Sequence, residues 1–168
     1  MGKYESPKYE IVMTNNNFEL RKYAPFYTTS VIEKSLKGYQ GFGLLFGYIS
    51  GENDKQQKMS MTVPVINQFE ENHMTMEFVI PSKVAETLIP DPINSQIKIK
   101  YYPEMISAVI SFSGTTSQRR VEEKKELLNQ WIKERNFEVI GKYCVARYNP
   151  PFSLPFLRRN EILVEVKA

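Results

Sequence analysis

Phe18-Glu19-Leu20-Arg21-Lys22-Tyr23-Ala24-Pro25 sets apolar against charged positions and then stops at a proline. A period of two predicts a half-buried β-strand, and Phe26 to Ile32 resumes in strand-forming residues beyond the break. The same sentence is written again further on. Ile97-Lys98-Ile99-Lys100-Tyr101-Tyr102 alternates, Pro103 breaks it, and Met105 to Phe112 resumes, with Tyr102 lying 79 residues after Tyr23. Each pair reads as a hairpin and is followed by a helix candidate, Gly38–Ser50 in the first half and Thr116–Arg135 in the second. Two further strand candidates follow each helix. They are Thr62–Phe69 and Met74–Ile80 in one half, and Phe137–Tyr148 (one strand or two) and Glu161–Val166 in the other. Pro81–Leu88 suits a short linking helix.

The chain is therefore read as two ββαββ halves, about 9–80 and 95–168, within one domain. Hairpin-like strand order favours antiparallel pairing with the helices laid on the sheet. The expected class is α+β: a pseudo-symmetric curved antiparallel sheet or distorted β-barrel with two main helices. With 168 residues, 42% of them hydrophobic and 12% aromatic, the chain can build a core without staples. The single cysteine, Cys144, excludes an internal disulfide framework and reads as a small buried residue in a strand. No apolar run follows Met1–Lys8 and none is long enough to span a bilayer, so a cytoplasmic protein is expected.

A net charge of +3 names no partner by itself. Val121-Glu122-Glu123-Lys124-Lys125-Glu126 mixes signs as a solvated helix face does, so no nucleic acid partner is expected. No polybasic tail is present, so no membrane partner is expected either, and the chain is read as a monomer.

The two helices differ in kind. Val121, Leu128, Trp131 and Ile132 form an ordinary apolar stripe on the second. The first carries Tyr39, Phe42, Leu45, Phe46 and Ile49 on a broad apolar face, but also Gly41, Gly43 and Gly47, each costing about 1 kcal/mol relative to alanine. Either something approaches its backbone closely, a sheet or a ligand, or it bends. Near it in sequence lies Lys58-Met59-Ser60-Met61-Thr62-Val63-Pro64-Val65. Far from it lies Tyr148-Asn149-Pro150-Pro151-Phe152-Ser153-Leu154-Pro155-Phe156-Leu157-Arg158-Arg159-Asn160-Glu161, a stiff loop with four large apolar residues. Loops this apolar tuck under a domain or cover a groove.

In four blocks, Phe18–Pro25, Phe42–Asn53, Met59–Val65 and Tyr148–Glu161, the chain resembles the SOUL haem-binding family, in the same order from about Tyr9 to Ala168. The resemblance implies a curved antiparallel sheet with two helices and internal pseudo-symmetry, an architecture similar to the effector-binding domains of some bacterial transcription regulators. It also implies non-covalent binding of haem or a related tetrapyrrole in a shallow hydrophobic cleft, as carrier or buffer. The cleft would have Phe42, Leu45, Phe46, Ile49, Met59 and Met61 on one side. On the other it would have Phe152, Leu154, Phe156 and Leu157. Methionine adapts to flat apolar guests, and Lys58, Arg158 and Arg159 are candidates to meet the propionates at the rim.

Plainer readings stand beside these. The helix stripe can be core, the glycines can serve close packing on a sheet, and Arg158-Arg159-Asn160-Glu161 can be structural, its arginines pairing glutamates across strands to fix the register of the last strand. His73 is the sole histidine, and Glu70-Glu71-Asn72-His73 reads as a polar hairpin tip, so no metal ligand is assigned. Some SOUL-like proteins carry a histidine near the start of the first helix, where this chain has Gly38 and Tyr39. The alternative function is an effector-binding or interaction module for another hydrophobic molecule, with Glu77 or Glu161 facing a cation, although Glu77 reads as a solvent-facing strand residue. No nucleophile elbow, zinc cluster or convincing carboxylate pair is present, so an enzyme is not expected.

Overall fold

The computed structural model describes residues 4–33, 39–150 and 152–168. Its elements run β1 (Tyr9–Asn15), β2 (Phe18–Tyr23), β3 (Phe26–Glu33), α1 (Tyr39–Ile49), β4 (Val65–Phe69), β5 (Met74–Val79), α2 (Ser82–Ala85), β6 (Lys98–Tyr102), β7 (Met105–Phe112), α3 (Gln118–Glu134), β8 (Glu138–Val139), β9 (Cys144–Arg147), a 3-10 turn (Pro155–Leu157) and β10 (Asn160–Lys167). The α+β class and the repeat are both present: β2-β3-α1-β4-β5 is followed by β6-β7-α3-β9-β10, with α1 and α3 the two main helices. Gly38, the expected first residue of α1, and Pro151 lie outside the described residues.

Two compact units form from interleaved segments. One comprises residues 4–7 and Pro25–Pro103, the other Lys8–Ala24 and Glu104–Ala168. In the first, the antiparallel strand order is β4-β5-β3-β6; in the second it is β1-β2-β7-β10-β9, with β8 also on β10. Each is an open path with two ends, so neither unit closes a barrel, and that alternative is corrected.

The hairpins are corrected as well. Among the described residues β2 pairs with β1 and β7, not with β3, and β3 pairs with β5 and β6. Tyr23 stands opposite Met105, and Phe26 opposite Tyr102. Pro25 and Pro103 are therefore not hairpin turns but the points where the chain passes from one unit to the other. A proline lacks the amide N–H a continuous ladder needs, so it suits such a break.

In the first unit α1 lies on β3 and β5, burying Leu45, Tyr48 and Ile49 among Val31, Met74, Met76 and Phe78. In the second, α3 lies on β7 and β10 and buries Leu128, Trp131 and Ile132 against Ile110, Ile162 and Val164. Trp131 stacks on Phe18 with ring centroids 5.3 Å apart. Ser117 caps α3, its hydroxyl accepting from the Arg120 amide.

Candidate functional site

Three glycines in an eleven-residue helix would not hold it together alone, so α1 depends on what it touches. A Cβ on Gly41 would stand 3.0 Å from Glu33 Oε2 and 3.2 Å from Val31 Cγ1. The Gly41 amide also donates to that Glu33 carboxylate, which sits buried at the positive end of the helix. Here glycine is required by close packing on β3. A Cβ on Gly47 would meet the Glu52 carboxylate, 2.6 Å away. Gly43 is different: nothing lies within 4 Å of where its Cβ would be. One of the three glycines is thus open on its flank.

Phe42 precedes that glycine and Phe46 follows it by about one turn of the helix. Phe42 and Phe46 are 42% and 50% exposed, and their rings stack at 6.2 Å with planes 12° apart. Phe42 also meets buried Phe78 edge-on at 5.2 Å, which anchors the pair to the core. Leu45 and Ile49 instead face inward, and they offer a ligand no surface. Tyr48 is buried too; its hydroxyl donates to the Pro90 carbonyl at 2.6 Å, and burial pushes its pKa up to about 12.

The segment beyond α1 is held by one buried side chain. Asn53 Nδ2 donates to the Tyr48 and Gln57 carbonyls, and its Oδ1 accepts from the Lys55 and Gln57 amides. The Met59 amide then donates to the Ile49 carbonyl at 2.8 Å, tying Met59 to the C-terminal end of the helix. Met59 and Met61 are half-buried against the same core, and Lys58 is exposed. His73 lies in the β4–β5 turn, where its carbonyl accepts from the Glu70 amide, as the polar tip predicts.

The proline-rich loop belongs to the second unit. Phe152, Leu154, Phe156 and Leu157 are 56–88% exposed. Arg158 donates to the Ser153 carbonyl from its Nε. Arg159 lies over the Tyr148 ring at 3.9 Å and donates to Glu161 at 2.9 Å, so its charge is already answered within the protein.

That pairing is part of a buried network whose centre, Arg21, sequence reading missed. Arg21 and Glu161 are 1% and 0% exposed and meet in a bidentate pair of 2.9 and 2.8 Å. Arg21 also donates to Glu19 and Tyr23, and Tyr148 donates to Glu161 at 3.0 Å. Burial alone would raise the Glu161 carboxyl, but the hydrogen bonds and charge of Arg21, with Arg159, outweigh it and hold the group below its ordinary range. Burial pushes the Tyr23 hydroxyl up to about 12. The signal was in the sequence: a period of two puts Glu19, Arg21 and Tyr23 on one face of β2.

Glu77 corrects an expectation. It is 1% exposed, not solvent-facing, because β5 is covered on both sides. It accepts from Thr28 Oγ1 at 2.7 Å and Tyr102 Oη at 2.8 Å, with Lys100 Nζ 3.5 Å away. Glu77 and Glu161 are therefore both served by the protein's own donors, which leaves neither poised for a cationic guest.

Comparison with known proteins gives a consistent result. The sequence pattern described as SOUL heme-binding protein matches residues 4–165. The chain is 30% identical to mouse Heme-binding protein 2 across 96% of its own length and 83% of that protein. It is 31% identical to the human Heme-binding protein 2 across 87% and 76%. The EcmrR C-terminal domain superposes with a TM-score of 0.65 over 95% of this chain and 98% of that one at 11% identity, a likeness of fold alone. With a match over nearly its whole length, this chain belongs to the SOUL heme-binding protein family.

Proposed function

We propose that the chain binds haem or a related tetrapyrrole non-covalently on the exposed flank of α1, and serves as a carrier or buffer in the cytoplasm. The observation that carries this reading is the open side of Gly43 next to the stacked, half-exposed Phe42 and Phe46 rings. A porphyrin needs a flat apolar surface, and a side chain at position 43 would stand in its way. In this reading the phenylalanines supply the apolar contact, half-buried Met59 and Met61 add to it, and Lys58 is the cation for a propionate. Family membership supports the same ligand. Histidine ligation forms no part of the proposal, since His73 sits in a polar turn.

Hemin titration tests it. The Soret band should shift and saturate at about one equivalent, as for a single preformed site. Phe46→Ser should weaken binding roughly tenfold, the order expected when one large apolar contact is lost. Iron-free protoporphyrin should bind about as well as hemin, because contact rather than ligation holds the ring. Unchanged affinity in Phe42→Ser and Phe46→Ser would remove the ligand from this surface. The loop at 152–157 is the second surface to test in this way, by Phe152→Ser in the same titration.

A further inference from the structure

In the second unit, the loop at 152–157 carries four large apolar side chains and no charge, and Phe152 is 88% exposed. A solvent-facing surface rarely exposes so much apolar area in one short loop without an occupant. Three properties of this tip define what it fits. First, part of its backbone is already paired within the loop. The Ser153, Leu157 and Arg158 amides donate to the Pro150, Leu154 and Pro155 carbonyls, and the Arg159 amide to Asn149 Oδ1. Each amide paired in this way is one fewer donor left stranded in an apolar medium.

Second, it is fixed in place rather than free. The Gly114 amide donates to the Pro155 carbonyl at 2.8 Å, and Asn160 Nδ2 donates to the Gly114 carbonyl at 2.9 Å. Third, that same connection brings positive charge beside it. Arg120 donates to the Ser113 and Thr115 carbonyls on either side of Gly114, next to the first turn of α3. That turn holds Arg119 and Arg120 and no acidic residue; Arg119 is largely exposed and its Nε lies 3.3 Å from Glu123 one turn on. Cations at the positive end of a helix cost stability, and a neighbouring layer of negative charge would offset the cost.

We infer that this tip is an interfacial anchor: Phe152, Leu154, Phe156 and Leu157 seat at the headgroup–acyl boundary of an anionic lipid surface, with Arg119 and Arg120 against its phosphates and carboxylates. The sequence expectation of no membrane partner rested on the lack of a basic tail and of a spanning segment. A preformed apolar tip with a basic flank needs neither. Among the described residues no helix is long and apolar enough to cross a membrane, which agrees with an anchor that lies on the surface.

Sedimentation with vesicles tests the anchor in protein free of haem, so the outcome is independent of the haem reading. The full chain should pellet with phosphatidylcholine vesicles containing phosphatidylserine, and less with phosphatidylcholine alone. Phe152→Ser combined with Phe156→Ser should weaken binding to both by at least about tenfold. Both side chains are largely exposed, so circular dichroism and Trp131 fluorescence should not change. Arg119→Gln should lower binding several-fold on the anionic vesicles only, and added salt should erase that difference. Failure of the wild-type chain to pellet with either vesicle overturns the inference. So does equal binding by the double variant, or a dimer in light scattering that needs Phe152 and Phe156 while vesicles go unbound.

Discussion

Arg21 and Glu161 are each buried with a full charge, and each is answered by the other. Replacing both with packed apolar residues can be neutral, but removing one takes from the other its bidentate partner inside the protein, at about 3–5 kcal/mol. Arg21→Met should therefore destabilise by about that amount in urea unfolding followed through Trp131, the sole tryptophan, which reports on the second unit. A cost below about 1 kcal/mol would mean the pair behaves as an exposed one. The pH dependence has a definite sign. The Glu161 carboxyl is held below its unfolded value of about 4.3, so its contribution is fully present above that value and is lost as pH falls through the lower, folded one. Glu161→Gln should flatten the acid limb of the stability curve while lowering stability at neutral pH. An acid limb identical to wild type would place the proton uptake on another group.

The helix α1 joins two uses of glycine, and a pair of substitutions separates them. Gly43→Ala adds a methyl into open space and should stabilise by about 1 kcal/mol, the helix propensity gain. Gly41→Ala should destabilise despite the same gain. Its Cβ would press on Val31, which is 2% exposed in the core, and on a Glu33 carboxylate held by the Gly41 amide. Neither neighbour can give way cheaply. Opposite signs in thermal or urea unfolding are the expected result; stabilisation by both would mean β3 does not constrain the helix. What sequence reading could see follows from the same distinction. Alternation located β2 and β6, runs of strand-forming residues located most of the other strands though not β1, and the odd density of glycine marked α1, because all of these are local patterns. The reason for each glycine was hidden, since the atoms it meets come from Glu33, eight residues earlier, or from Glu52 beyond the helix end. Strand pairing was hidden for a related reason: Pro25 and Pro103 mark a break, but a break does not say whether the next strand folds back or joins other partners. The candidate apolar surfaces were legible as composition, whereas the inward turn of Leu45 and Ile49 is settled only by how α1 lies on its sheet.

At the scale of the whole chain, each unit is assembled from segments distant in sequence, and each is an open antiparallel sheet with one main helix. The proposed haem surface belongs wholly to the unit built from Pro25–Pro103. A ligand bound at about a hundred times its dissociation constant adds about 2.7 kcal/mol to the stability of the state that binds it. Amides that exchange only through global unfolding will slow wherever they are, so they cannot locate the ligand. Amides that exchange by local opening can, because only openings that break ligand contacts are penalised. Hydrogen exchange with hemin present should therefore slow the locally opening amides of α1 and of the segment held by Asn53, from residue 53 to Met59. Those at the ends of α3 and in the loop at 152–157 should exchange as before. Protection that appears first in the loop, with α1 unchanged, would move the haem surface to the other unit. It would also leave the open flank of Gly43 without an occupant.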